Sequence, residues 1–328
     1  MKRVTIKDVA ADVGVSISVV SYVINGATKP SISEATKNRV MEAVNRLGYT
    51  PNRNAAILRS RKSYTIGVVS YWADSYMHTS FLDGIVAAAE KNGYRALSFL
   101  ATETTEAMHY VEYVEDHMFD GIILIPPYES RRKRMNFRLV DHIEYMKSNK
   151  IPFVVLGDVE KGVDAPFVAI NYYRTAYVAT EYYISKGYKD ITYVSRLMDA
   201  VDARERYEGY CQAMKAHKLK AQFCPESEME ERMRDFKAVV TDKSGTARKV
   251  IVMANKLGYR IPDDFELVAA NAEYYSKHLI PSLTTVSVPA KEMGAKTVEE
   301  LLEVMKGQSI SNVTILDDYT LDFRDTTK

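Results

Sequence analysis

Apolar residues recur at helical spacing through the first fifty positions. Ile6, Val9, Ala10 and Val13 line one face of a helix. Thr5 opens it, with Asp8 three residues on, an arrangement resembling a capping box with the shorter Asp in the usual place of Glu or Gln. Gly14 falls where the chain must turn, Val15 can pack into the angle, and Ser16 suits the N-cap of a second helix. In that helix Val20, Val23 and Ile24 fall on one side, and Ile17, Ser18, Ser21, Tyr22 and Asn25 on the other, up to a stop at Gly26. A third helix runs from Ser33 to Gly48, with Ala35, Val40, Ala43, Val44 and Leu47 as its apolar stripe. Two short helices about a tight turn, the second with an uncharged polar face, outline a helix-turn-helix that reads DNA. Without further support, the same pattern also fits a helical hairpin with a solvated face.

From Tyr64 the periodicity changes. The runs 65–71, 95–100, 120–127 and 151–158 are short, β-branched and bounded by turn residues, and read as buried parallel strands. Helical patterns at 81–93 and 136–149 separate them. The rhythm then repeats: helix 171–187, strand 191–195, helix 204–217, strand 237–242, helix 245–258, strand 265–271 and helix 290–307. Two successive α/β halves predict two doubly wound subdomains, with ligands bound in a cleft at the strand C-terminal ends. Between head and body, 48–63 is basic, broken by Pro51 and open to a short new helix at Asn52; composition alone reads it as a solvated linker. Arg131 to Arg134 reads as a solvated loop.

Composition sharpens this division. The 328 residues are 46% hydrophobic and 27% charged, with a net charge of only +1. Residues 1–62 hold 11 Lys and Arg against 4 Asp and Glu, a net of +7; the remaining 33 against 39 leave the body at −6. A basic head on an acidic body suits a DNA-binding domain joined to a regulatory one. No signal-like segment or long apolar run is present, so a cytoplasmic protein with no membrane partner is expected. Cys211 and Cys224, with His217 between them, match no metal spacing and read as two structural thiols. No nucleophile, base or metal constellation supports an enzyme, and no glycine fingerprint supports a nucleotide cofactor.

Val4, Thr5, Ile6, Asp8, Val9, Ala10, Gly14, Val15, Ser16, Val20, Ser21, Val23, Asn25 and Gly26 resemble the signature of the lactose-repressor (LacI/GalR) family. Tyr49, Pro51, Asn52, Ala55 and Leu58 are similar to that family's hinge helix, and Asp120, the 187–191 stretch, Arg206 with Gly209, the 258–264 stretch, 281–285 and 323–326 carry the likeness through the body. The resemblance implies an α/β protein with three parts: a three-helix helix-turn-helix head at 1–48, a hinge at 49–63, and a periplasmic-binding-protein-like core at 64–328. In the core, an N-subdomain takes about 64–167 plus 288–316 and a C-subdomain about 168–287 plus 317–328.

It also implies a homodimeric transcriptional regulator, read as a repressor, on a double-stranded, pseudo-palindromic DNA operator. Ile17, Ser18 and Tyr22 would then meet base edges in the major groove, with Thr5, Ser16, Ser21 and Asn25 on phosphates. Asn52, Arg53, Ala55 and Leu58 would enter the minor groove, Leu58 as the apolar wedge. Two departures stand out. Val19 replaces the family's Thr, and Tyr22 replaces an Arg that reads guanine.

In the cleft, the family's effector Arg maps onto Arg206, two of its acids onto the amides Asn171 and Asn271, and other lining positions onto Trp72, Ser75 and Thr241; Asp242 is expected to cap the following helix. Amides permit a neutral sugar, while an Arg206 without neighbouring carboxylates favours an anion such as a sugar phosphate. Cys224 to Phe236 leaves room for little more than one short helix where the family has a strand, a helix and another strand. A regulator that answers to no small molecule, or to a protein, therefore stays open beside the effector reading, as does a cytosolic sugar-binding protein.

Overall fold

The computed structural model describes residues 4–24, 32–49, 62–73, 76–101, 108, 110–115, 118–127, 137–157, 163–196, 201–308 and 313–328. The chain forms two compact units, Met1–Lys62 and Ser63–Lys328.

The head contains α1 (Ile6–Val13), α2 (Ile17–Ile24) and α3 (Glu34–Leu47). Its core is Val9, Ala10, Val13, Val20, Val40 and Ala43, with Ile6, Val15, Val23, Leu47 and Tyr49 packed around it. Tyr49, read as the first hinge residue, thus packs onto the head. Asp8 reaches back to α1's start, accepting from Thr5 N–H at 2.8 Å and from Thr5 Oγ1 at 2.7 Å. Gly14 closes α1 in the left-handed region at φ 72°, where a side chain would be strained. The carbonyl of Val13, orphaned at that helix end, is taken up by Arg39 Nη2 at 2.7 Å. Ser16 Oγ accepts from Val19 N–H at 3.3 Å at the start of α2, and Ser33 Oγ accepts from Thr36 N–H at 3.3 Å to cap α3. Ala35 is exposed rather than part of the apolar stripe. Five residues before Val40, it lies about 140° away around the helix.

Among the described residues the body has two six-stranded sheets. The first contains β1 (Thr65–Ser70), β2 (Arg95–Leu100), β3 (Gly121–Ile125), β4 (Phe153–Leu156), β5 (Phe167–Ile170) and β11 (Val313–Leu316), in the order β11-β5-β4-β3-β1-β2 and all parallel. The second contains β6 (Ile191–Ser195), β7 (Gln222–Pro225), β8 (Ala238–Thr241), β9 (Glu266–Ala269), β10 (Thr284–Ser287) and β12 (Thr320–Asp322), in the order β12-β10-β9-β8-β6-β7, with only β12 antiparallel. Helices α4 (Tyr76–Lys91), α5 (Val111–Glu115), α6 (Leu139–Ser148) and α11 (Ala290–Met305) belong with the first sheet. Helices α7 (Tyr172–Ser185), α8 (Val201–Ala216), α9 (Met229–Arg232) and α10 (Ser244–Leu257) belong with the second.

β2 is not buried as its sequence suggests: Arg95, Leu97, Ser98 and Leu100 are exposed, because it is an edge strand paired only with β1. β5 stays in the first sheet, so the first lobe runs on to Ile170, three residues past the boundary read at about 167, and the chain crosses to the second lobe at Asn171. It crosses back between β10 and α11, and again between β11 and β12. Ser63 belongs to the body: its N–H donates to Asp120 Oδ1 at 2.6 Å and that of Tyr64 to Asp120 Oδ2 at 2.9 Å. The 224–236 stretch supplies the last two residues of β7 and α9 between two short 3-10 turns.

Two glycine contacts fix the helix layers. A Cβ on Gly84 of α4 would overlap the backbone carbonyl of Lys291 in α11, and one on Gly209 of α8 that of Tyr173 in α7. These helices therefore touch backbone to backbone.

Candidate functional site

In the head, Val20 anchors α2 in the core while Ile17 stands 43% exposed beside the exposed Ser18. Ser21 and Tyr22 are partly exposed. An exposed β-branched side chain beside a short hydroxyl is suited to apolar contact with a thymine methyl and hydrogen bonding to a base edge. Thr5 and Ser16, both exposed, each sit at the start of a helix. Asn25, Asn52, Arg53, Ala55 and Leu58 lie outside the described residues, as do Ser75 and the Arg131 to Arg134 run.

In the body, a cleft of about 220 Å³ opens between the lobes, lined by Tyr76, Met77, Tyr172, Arg206, Asn271 and Val288 among others. Arg206 is 3% exposed and its guanidinium lies over the Tyr172 ring, 4.5 Å from the centroid. It is not a lone cation. Asp202, one helical turn earlier, accepts from Arg206 Nη1 at 2.7 Å, and Lys243 Nζ reaches the same oxygen at 2.8 Å. Burial alone would raise the Asp202 carboxyl, yet these two cations hold it at about 2. This corrects the expectation of an Arg206 without carboxylates, since Asp202 already neutralises much of the positive charge. Spacing of i and i+4 on α8 could have revealed the pair, but the sequence reading started that helix at Arg204, after Asp202.

Asn271 faces the cleft, with its Oδ1 accepting from Ser244 N–H at 2.7 Å at the start of α10. Asn171 does not line it. Its Oδ1 caps α7 by accepting from Arg174 N–H at 3.0 Å, its Nδ2 donates to Asp317 at 3.4 Å, and its N–H donates to Tyr319 Oη at 2.7 Å, so it ties two lobe crossings together. Thr241 is wholly buried, its hydroxyl donating to Lys243 O at 3.2 Å. Trp72 lines a small apolar recess with Met77, Ile170 and Tyr172, and its indole N–H donates to Pro126 O at 2.8 Å. Asp242 does not cap α10 as expected: its Oδ2 accepts from Ser195 Oγ at 3.0 Å, and Asn271 serves the helix instead. At the mouth, unforeseen from sequence, Tyr76 N–H donates to Glu273 Oε2 of the other lobe at 3.3 Å, and the Tyr76 and Tyr274 rings lie 6.4 Å apart. Among the described residues no group of His, Cys, Asp and Glu could hold a metal ion, and no helix is long and apolar enough to cross a membrane.

A helix-turn-helix head and a two-lobed body with a polar inter-lobe cleft define a DNA-binding regulator with an effector-binding core. Residues 5–52 match the model of bacterial regulatory proteins of the lacI family, and residues 180–327 that of the periplasmic binding protein-like domain. The chain is 26% identical to catabolite control protein A of Priestia megaterium, over 99% of this chain and 100% of that protein. It is 27% identical to the transcriptional repressor PurR of Vibrio parahaemolyticus, over 92% of each. In fold it matches the lac repressor dimer bound to operator and the anti-inducer ONPF, with a TM-score of 0.75 at 22% identity over 99% of each chain. It also matches a complex of the regulator CelR with cellobiose, with a TM-score of 0.64 at 23% identity, over 99% of this chain and 100% of that one. The head thus carries a lacI-family helix-turn-helix domain, and the body a periplasmic-binding-protein-like domain.

Proposed function

We propose that this chain is a cytoplasmic transcriptional repressor that binds a pseudo-palindromic operator as a homodimer and is modulated by a small neutral polar effector in the inter-lobe cleft. The observation that carries the DNA reading is α2, whose Val20 is locked in the head core while Ile17 and Ser18 face outward. Ile17, Ser18 and Tyr22 read base edges; Thr5, Ser16, Ser21 and Asn25 hold phosphates and set the register. Asn52, Arg53, Ala55 and Leu58, in the segment joining head to body, enter the minor groove at the operator centre. Two-fold symmetry of the dimer matches that of the operator.

The neutral effector class rests on the ion pair. Arg206 and Lys243 are met by two carboxylates, the shared Asp202 and Asp242 acting on Arg206, so a phosphate would find little unbalanced positive charge there, whereas hydroxyls can bond Asn271 and the guanidinium. Trp72, Tyr76 and Tyr172 supply apolar and aromatic faces against which a sugar ring can lie. Effector binding biases the lobes toward one relative setting and so shifts the DNA-binding population. Gel-shift titration of the full chain against DNA upstream of its own gene, with neutral sugars and their phosphates added in parallel, tests both parts. A salt-sensitive shift altered by a neutral sugar is expected. No shift on that DNA or on sites selected from random DNA defeats the first part, and a response confined to phosphorylated sugars defeats the second.

A further inference from the structure

Among the buried side-chain atoms of the described residues that have no hydrogen-bond partner are Arg206 Nε, Asp242 Oδ1 and Tyr193 Oη. All three residues are buried, Tyr193 wholly and Asp242 to 5% exposure. Topology brings them together. Tyr193 and Ser195 are two residues apart on β6, so both side chains leave the same face of the sheet. β6 pairs with β8 with Val194 opposite Thr241, which sets Ser195 beside Asp242, and the Ser195 hydroxyl donates to Asp242 Oδ2 at 3.0 Å. α8 covers that face, with its Tyr207 and Tyr210 rings 5.4 and 5.1 Å from the Tyr193 ring, and Arg206 adjoins Tyr207 in the chain. Burial pushes the Tyr193 hydroxyl well above its usual pKa of 10, Asp242 pushes it further and Arg206 opposes, so both charges bear on that oxygen.

A buried carboxylate oxygen or guanidinium N–H without a partner is costly, and two such groups that both bear on one unpartnered buried phenol call for a shared partner. Their chemistry specifies it. Nε–H donates, Oδ1 accepts and the phenol does either, which is the complement of one hydroxyl group. An unprotonated phosphate or carboxylate oxygen has no proton for Asp242, and an ammonium would face Arg206. We propose that Arg206 Nε, Asp242 Oδ1 and Tyr193 Oη form a single internal hydroxyl-binding point, filled by a water or by an effector hydroxyl. Only the second occupant rests on the effector reading of the cleft.

A high-resolution crystal structure of the full chain, free and soaked with a panel of neutral pentoses and hexoses, reads the point directly. In the free protein one oxygen is expected within about 3.2 Å of all three atoms. A soaked sugar either leaves that water or replaces it with its own hydroxyl, which separates the two sources. Direct bonding of Tyr193 Oη to Asp242 Oδ1, with no oxygen between, overturns the inference. Melting of Tyr193→Phe gives a second measurement. An occupied point loses a partner, so the melting temperature falls by about 2–4 °C; an unchanged or raised melting temperature overturns the proposal, because removing an unmet hydroxyl relieves a cost. Neither readout involves DNA, so failure of the regulator reading and failure of this point are distinguishable.

Discussion

Replacing Asp202 with Asn removes the anion shared by Arg206 and Lys243, whose nitrogens lie 2.7 and 2.8 Å from its Oδ2. The size of the effect follows from the carboxyl's own acidity. Against the burial that would raise it, the two cations bring it from 3.8 to about 2. At about 1.36 kcal/mol per pH unit, that depression is worth roughly 2 kcal/mol of body stability at neutral pH. Because the folded value lies below the unfolded one, the contribution is complete above about pH 4 and is lost as pH falls toward 2. Breaking a buried pair commonly costs about 3–5 kcal/mol, since the partner is left charged and unpaired. Here Asn keeps one acceptor for Arg206, so the lower figure is expected. Urea unfolding followed by the fluorescence of Trp72, the one tryptophan in the sequence and buried in the body, measures it. The reasoning fails if the variant matches the wild type within about 0.5 kcal/mol at pH 7, or if it keeps the wild-type loss of stability between pH 4 and 2.

Three further outcomes are expected. Val20→Ala removes two methyl groups from the wholly buried centre of the head, which costs about 2 kcal/mol and weakens operator binding without altering sequence preference, as melting of the isolated head and site selection would register. Gly209→Ala forces a Cβ into the Tyr173 carbonyl and should destabilise the body by roughly 3 kcal/mol or more; a urea midpoint equal to wild type would contradict the backbone contact between α7 and α8. Tyr22→Arg installs a bidentate donor on α2, so sites selected from random DNA should gain a guanine at one half-site position, a preference of roughly 1–3 kcal/mol; an unchanged motif would remove Tyr22 from the base-reading set.

The head was legible almost residue by residue because its signals are local. Gly14 needs a left-handed backbone, Ser16 and Ser33 cap the helices that follow them, and the apolar stripe reports which face is covered. In the body the periodic helices and the apolar strands β1, β3, β4 and β6 were equally readable. What escaped was set by partners distant in sequence. β5, β10 and β12 are only three or four residues long, and their place depends on which sheet receives them; the boundary moved to Asn171 for that reason. The cleft was legible as a place but not as an electrostatic site. The pairing of Arg206 with Asp202 required the true start of α8, and that of Lys243 with Asp202 joins residues 41 positions apart across two elements. Amides aligned with acids gave no hint that Asn171 would be spent on a helix cap.

That cap bears on how a ligand could act at a distance from the cleft. The lobes are joined by three segments: 171 between β5 and α7, 288–289 between β10 and α11, and 317–319 between β11 and β12. Ile170, Tyr172, Ser287 and Val288, at or beside the first two, also line the cleft. The third is tied to the first by Asn171 N–H on Tyr319 Oη and Asn171 Nδ2 on Asp317. A ligand in this cleft therefore touches the pivots themselves. Small shifts in the Tyr172 ring and the Arg206 guanidinium stacked on it would therefore act on a segment that joins the two sheets, and packed interfaces move between discrete settings more readily than they deform. The Tyr76 to Glu273 bond at the mouth opposes rotation of the lobes from the other end of the cleft. A ligand shifts the two populations by its difference in affinity for them, and the loss of that bond counts against the shift.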